Sequence, residues 1–253
     1  MAQRPPGLGN AADTPVLDRK NIPTRERLIF ALDVPNVDQA TRLVDALGDA
    51  VCFYKVGLEL FMAGGYFELI DSLTQKGKKV FVDLKFFDVP QTVASAVKRL
   101  EGRGVSFTSV HGNDSILEAA CQVKDKVQIL AVTVLTSLDQ RDIEDLGFKT
   151  DIQSLVLSRA RRALALGCDG VISSGQEARA LRQMQGDGFL IVMPGIRPVE
   201  NRVVDDQKRT VDIEEAFRSG ADYIVIGRPI RDASNHRETA EVIQKRIAAL
   251  FDA

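Results

Sequence analysis

Short apolar runs recur along this chain, and each is followed by a stretch in which apolar and polar positions alternate with helical spacing. The runs fall at residues 28–34, 51–56, 79–84, 106–111, 127–135, 170–173, 189–193 and 223–227. They read as continuous apolar strands, the pattern of a parallel sheet covered on both faces. The helical patterns fall at 37–47, 66–76, 91–103, 116–124, 152–166, 177–185 and 213–219, with a last helix from about 237 to 251. Eight alternating units without a break in composition predict a single-domain α/β fold, a (β/α)8 TIM barrel with a closed eight-stranded parallel sheet. An open doubly wound sheet is the alternative. It is disfavoured because Asp33-Val34-Pro35-Asn36 follows the first strand where a Gly-x-Gly-x-x-Gly turn would stand.

The length of 253 residues suits one such barrel. Residues 1–21 contain Pro5-Pro6-Gly7 and no apolar core of a signal peptide, so they read as a flexible leader to a catalytic domain at 22–253. Apolar residues make up 45% of the chain, enough for one sizeable core. Charged residues make up 27% and the net charge is −2, which argues against a general nucleic-acid or membrane-surface role. No apolar run approaches the roughly 18 residues of a membrane span. Three cysteines, Cys52, Cys121 and Cys168, are too few and too scattered for a Cys-rich metal site. They point to a reducing, cytoplasmic compartment, with Cys52 and Cys168 expected as buried thiols.

A barrel gathers its functional side chains at the C-terminal ends of its strands. Those ends carry Asp33, Lys55, Asp83 with Lys85, His111, Thr136-Ser137, Pro194-Gly195-Ile196-Arg197 and Gly227-Arg228. The third strand is the richest. Asp83 and Lys85 are two apart, so regular strand geometry points them to one side. Asp88 lies just beyond, and Pro90 suits the first turn of the next helix. Lys55, Asp83, Lys85 and Asp88 alternate in sign, an arrangement that keeps lysines protonated and carboxylates ionised beside an anionic substrate. A purely structural ion network at the barrel mouth is the plainer alternative. Gly227 permits close backbone approach to an oxyanion, and Arg228 and Arg197 offer guanidinium forks for phosphate. The polar segment 202–210, with Gln207, reads as a lid. There is no Gly-x-Ser-x-Gly elbow, His-Glu-x-x-His or Walker A sequence. Only two histidines occur: His111 at a strand end, with a packing role at least as well supported as a site role, and His236 in a loop.

Asp83-Leu84-Lys85-Phe86-Phe87-Asp88-Val89-Pro90-Gln91-Thr92 resembles the Asp-x-Lys-x-x-Asp-(Ile/Val)-x-x-Thr signature of the orotidine 5′-phosphate decarboxylase family. The resemblance runs from about residue 28 to residue 251. It includes Phe30-Ala31-Leu32-Asp33, Lys55-Val56-Gly57, Val132-Thr133-Val134-Leu135-Thr136-Ser137, Pro194-Gly195-Ile196-Arg197, Asp206-Gln207-Lys208-Arg209 and Val225-Ile226-Gly227-Arg228-Pro229. The loop His111-Gly112-Asn113-Asp114 departs from the small residues usual in bacterial members. The resemblance implies that Asp33 and Lys55 hold ribose hydroxyls, that Asp83 faces the substrate carboxylate, and that Lys85 delivers a proton. It implies a homodimer in which Asp88 and Thr92 reach the neighbouring site. It also implies that Thr136 and Ser137 meet the pyrimidine, with Pro194 lining the site. Arg197, Gln207, Gly227 and Arg228 would bind phosphate. The implied substrate is orotidine 5′-monophosphate, with no metal and no organic cofactor. Rival expectations are a magnesium-dependent sugar-phosphate decarboxylase or aldolase of the same superfamily, and a catalytically silent nucleotide-binding barrel.

Overall fold

The computed structural model describes residues 20–197 and 211–252. Eight parallel strands close into a barrel in sequence order. They are β1 (Leu28–Ala31), β2 (Phe53–Gly57), β3 (Lys79–Phe86), β4 (Val105–His111), β5 (Gln128–Val132), β6 (Gly170–Ile172), β7 (Leu190–Met193) and β8 (Tyr223–Ile226). The helices in chain order are α1 (Val37–Leu47), α2 (Leu58–Met62), α3 (Tyr66–Gln75), α4 (Pro90–Lys98), α5 (Asp114–Val123), α6 (Gln140–Asp145), α7 (Ile152–Ala165), α8 (Gly175–Gln185), α9 (Ile213–Arg218), α10 (Arg228–Arg231) and α11 (His236–Phe251). The predicted strands and long helices are all present. The short helices α2, α6 and α10 are additions, because four to six residues carry too little periodicity to announce a helix. Gln207 and the rest of the predicted lid lie outside the described residues, as does nearly all of the predicted leader.

The strands sort their side chains by the two-residue period of extended chain. Leu28, Phe30, Tyr54, Val56, Val80 and Val82 face outward into the helix-covered core. Ile29, Ala31, Phe53, Phe81, Phe107, Leu130, Val132, Ile172, Val192, Tyr223 and Val225 form a separate inner cluster. Its aromatic members touch edge to face: the Phe107 ring centroid lies 5.1 Å from those of Phe53 and Tyr223, and 6.1 Å from that of Phe81. This packed interior closes the barrel from within. One inward step further along each strand reaches the mouth. From Ile29 and Ala31 the step leads to Asp33, from Phe53 to Lys55, from Phe81 to Asp83 and from Phe107 to Ser109. The register that buries the aromatic rings therefore also sets the charged layer above them.

One strand departs from regular geometry. Lys85 has φ of +49°, a left-handed backbone shared with only one other non-glycine residue among those described, Asn21. The pairing of β3 with β4 shifts register between Val82 and Phe86. The expectation of plain alternation from Asp83 to Lys85 is thus corrected: a bulge carries Lys85 to its place. The Cys52 expectation is corrected too. Cys52 is partly exposed and its thiol contacts the Arg25 carbonyl at 3.1 Å, whereas Cys168 is buried as expected.

The close approach of β6 to β7 requires a glycine. A Cβ on Gly170 would lie 2.4 Å from the Leu190 carbonyl oxygen and 2.6 Å from Leu190 Cβ. Gly170→Ala is expected to cost about 3 kcal/mol in stability, the upper part of the overpacking range. Gly188→Ala, where nothing lies within 4 Å of the added methyl group, is the near-neutral control. Denaturant unfolding of the two variants measures the difference, and equal stabilities would contradict this account of the β6–β7 contact.

Candidate active site

A cavity of about 450 Å³ opens at the C-terminal ends of the strands. Ala31, Phe81, Val132, Ile172, Val192 and Val225 form its apolar wall, all inward-facing strand positions. Asp33, Lys55, Asp83 and Lys85 stand on one side of it. Pro194, Gly195, Arg197, Gly227, Arg228 and Arg231 come from the segments after β7 and β8. A neighbouring cavity of about 580 Å³ shares Asp33 and Arg231 but runs along α1 and contains neither lysine nor Asp83. Of these two cavities, the smaller alone is lined by Lys55, Asp83 and Lys85.

Asp83 is the centre of the polar layer. It is 7% exposed. Its Oδ2 accepts from Lys85 Nζ at 2.9 Å and faces Lys55 Nζ at 3.4 Å. Lys55 Nζ also donates to Asp33 Oδ1 at 3.0 Å. Burial works against the charge on Asp83, but Lys55, Lys85 and the hydrogen bond from Ser109 outweigh it and hold the carboxyl below its usual range. Burial likewise works against the charge on Lys55, and the carboxylates of Asp83 and Asp33 reverse the effect, raising its pKa. Each ion is tolerated inside the barrel because the other is there.

The bulge at Lys85 has a specific support. The Ser109 hydroxyl donates to Asp83 Oδ1 at 2.8 Å and accepts the Lys85 backbone N–H at 2.9 Å. Ser109 is fully buried. One side chain on β4 thus fixes both the carboxylate and the irregular backbone beside it. Sequence reasoning missed Ser109, although its place two residues after the inward-facing Phe107 was a readable signal. Arg231 was also missed. It follows Arg228 by one helical turn, lines the cavity, and donates from Nη1 to the Asp33 carbonyl at 2.9 Å.

The remaining expected residues divide. Thr136 lines the cavity, whereas Ser137 is exposed and is not among the lining residues. Both lie beyond the end of β5 at Val132. Asp88 does not join the charge layer of its own chain. It is exposed, and its Oδ1 accepts from the Val89 N–H. Within the single chain the charged layer is made by Asp33, Lys55, Asp83 and Lys85, and the Asp88 carboxylate stands outside it. Thr92 is exposed on the first turn of α4. His111 is not among the cavity-lining residues. Its ring packs on Phe87 at 4.6 Å between centroids, and burial followed by the nearby Arg159 lowers its pKa. His236 bonds the Ile230 carbonyl through Nδ1 at 2.9 Å. Among the described residues, no three His, Cys, Asp or Glu side chains come together as a metal-ligand set, and no helix is long and apolar enough to cross a membrane.

With this geometry established, the chain compares closely with known proteins. The profile of the Orotidine 5′-phosphate decarboxylase / HUMPS family matches residues 26–243. An orotidine 5′-phosphate decarboxylase of Methylococcus capsulatus is 63% identical over 237 residues, covering 94% of this chain and 98% of that protein. One from Stenotrophomonas maltophilia is 48% identical over 241 residues, covering 94% of this chain and all of its own. Among solved structures, the crystal structure of orotidine 5′-phosphate decarboxylase from Lactobacillus acidophilus superimposes with a TM-score of 0.78 at 35% identity, over 88% of this chain and 99% of that one. The match spans every strand of the barrel and every charged residue of the cavity's polar layer, and the chain belongs to the orotidine 5′-phosphate decarboxylase / HUMPS family.

Proposed function

We propose that the 450 Å³ cavity is where substrate is bound and decarboxylated, with Lys85 as the proton donor and Asp83 as its fixed counter-charge. The chain catalyses the decarboxylation of orotidine 5′-monophosphate to uridine 5′-monophosphate, a carboxy-lyase step of pyrimidine biosynthesis. The observation that carries the mechanistic reading is the buried Asp83 carboxylate 2.9 Å from the Lys85 ammonium at the cavity wall.

Loss of carbon dioxide from the pyrimidine ring leaves an electron pair on a vinylic carbon that has no conjugated sink. The site must supply electrostatic stabilisation and a proton. A charged lysine about 4 Å from the developing carbanion contributes roughly 4 kcal/mol at an effective dielectric near 20. Repulsion between Asp83 and the substrate carboxylate is of similar size and relaxes as carbon dioxide departs. Enzymes lower such barriers by about 8–23 kcal/mol, so these two effects need help from a preorganised, water-poor site. In this scheme Asp33 and Lys55 hold the ribose hydroxyls, and Thr136 and Ser137 meet the pyrimidine edge. Arg197, Gly227 and Arg228, with Gln207, hold the phosphate across the mouth, and Pro194 shapes the wall between. Phosphate contacts remote from the reacting carbon supply binding energy for the chemical step.

The working unit in this reading is a homodimer in which Asp88 and Thr92 serve the partner's cavity. The support is an apolar rim. Leu58, Phe61 and Met62 of α2, with Phe87 and Val89 on either side of Asp88, are all exposed in the single chain. Residues 22–253 act as one catalytic domain behind a leader at 1–21, and a cytoplasmic location accords with three free cysteines.

Purified protein is expected to consume orotidine 5′-monophosphate, followed by the change in its ultraviolet absorbance. Lys85→Ala is expected to lower kcat by at least about 10³-fold while the barrel stays folded by circular dichroism. Near-wild-type turnover by the variant would remove Lys85 from the mechanism, and no turnover by folded wild type would remove the mechanism altogether.

Mixing inactive Lys85→Ala with inactive Asp88→Ala tests the shared site. In a mixed dimer one cavity collects both defects and the other collects neither. Random exchange is expected to restore up to about a quarter of wild-type activity, since half the dimers are mixed and one site in each is intact. No recovery in a sample of verified mixed dimers would place Asp88 in the service of its own chain.

A further inference from the structure

Cys121 and Cys168 are distant in sequence, yet their sulfurs lie 3.6 Å apart. Cys121 is near the C-terminal end of α5, and Cys168 lies in the turn that leads from α7 into β6. Both are at the end of the barrel opposite the catalytic cavity. Cys168 is buried and Cys121 is partly exposed. The third cysteine, Cys52, contacts the Arg25 carbonyl and stands apart from the pair.

The pair is chemically asymmetric. The hydrogen bond from Cys168 lowers the pKa of Cys121, burial opposes the shift, and Lys124 assists it. The same contact, with burial, pushes the Cys168 thiol up. Lys124 follows Cys121 by three residues, and its Nζ donates at 2.6 Å to both the Gly167 carbonyl and Asp169 Oδ2, on either side of Cys168. Ionisation is therefore easier at the partly exposed cysteine, and the proton is held more firmly on the buried one. That division suits a nucleophilic thiolate with a resolving thiol behind it. Burial pushes the Cys52 thiol up, which makes it a poor competitor.

We propose that Cys121 and Cys168 are a modification site that closes into a reversible intrachain disulfide when the protein meets a peroxide. In the first step the Cys121 thiolate attacks one peroxide oxygen and the O–O bond breaks. Hydroxide leaves and takes up the proton that Cys121 released to solvent on ionising, giving the first water, and Cys121 becomes a sulfenic acid, its sulfur oxidised by two electrons. In the second step Cys168 sulfur attacks the Cys121 sulfur and the S–O bond breaks. The Cys168 proton goes to the departing hydroxide, giving water and the disulfide. The balance is two thiols and one hydrogen peroxide to one disulfide and two waters. The sulfurs must approach from 3.6 Å to a bond of about 2.05 Å, a movement shared between two side chains and the glycine turn at Gly167. The closed bond joins α5 to the start of β6, and a cellular dithiol reopens it by exchange.

The test treats the full-length protein with stoichiometric hydrogen peroxide, traps remaining thiols by alkylation, and reads intact mass and peptide map. The expected product has lost about 2 Da, joins the Cys121 and Cys168 peptides, leaves Cys52 alkylated, and reverts with dithiothreitol. Its melting temperature is expected to rise by a few degrees, and its turnover of orotidine 5′-monophosphate to stay within about twofold, as befits a bond remote from the cavity. Cys168→Ser is expected to stop at sulfenic or sulfinic acid on Cys121, and Cys121→Ser to leave Cys168 unmodified. Over-oxidation of Cys121 in the wild type with Cys168 still free would overturn the proposal. So would a disulfide to Cys52 or between two copies, or three unreacted thiols after treatment.

Discussion

A carboxylate buried at the mouth of a barrel is the constraint on which the rest of this structure depends. Asp83 is ionised where water hardly reaches it, and two ammonium groups and one hydroxyl make that possible. Removing an isolated carboxylate from water costs several kcal/mol even after relaxation. That cost explains the local irregularities. Lys85 adopts a left-handed backbone to bring its ammonium to Asp83, and Ser109 accepts the N–H that the bulge withdraws from the strand ladder. Lys55 is itself held by Asp33, whose backbone is tied by Arg231 to the helix that carries Arg228. The chain of contacts runs from the proposed proton donor to the proposed phosphate grip.

The same pairing determines the pH range in which the layer is intact. Asp83 has a depressed pKa in the folded state. Its contribution to stability is present above the unfolded carboxyl value and is lost as pH falls through the lower, folded one. Lys55 has a raised pKa. Its contribution is present below the unfolded lysine value and is lost as pH rises through the higher, folded one. Across the neutral range both ions are in place. In the proposed mechanism the charged layer is thus preorganised before substrate arrives. The apolar interior of Phe53, Phe81, Phe107 and Tyr223 provides the rigid, water-excluding base for that layer.

Much of this was legible in the chain. Continuous apolar runs alternating with helical patterns gave the barrel, and the C-terminal ends of those runs gave Asp33, Lys55, Asp83 and Lys85. What was not legible arises from contacts between elements. The bulge at Lys85 depends on a hydroxyl from the next strand, which no pattern within β3 records. Asp88 follows the other charges closely in sequence, yet the turn after β3 leaves it exposed on the single chain, a separation that spacing alone does not record. Arg231 sits on a helix of only four residues, too short to be seen as one. The nearness of Cys121 and Cys168 was not legible either, since nothing local shows that α5 and the start of β6 pack together.

The central claim is that Asp83 is a buried anion that sustains the charge on the lysine beside it. It is tested most directly by nuclear magnetic resonance titration of Lys55, using protein labelled at the lysine ε-carbon, in wild type and in Asp83→Asn. The account predicts that Lys55 in the wild type titrates above the ordinary lysine range, and that the substitution lowers its pKa because burial is then opposed by Asp33 alone. A wild-type Lys55 that titrates below the ordinary range, or one unmoved by Asp83→Asn, would contradict it.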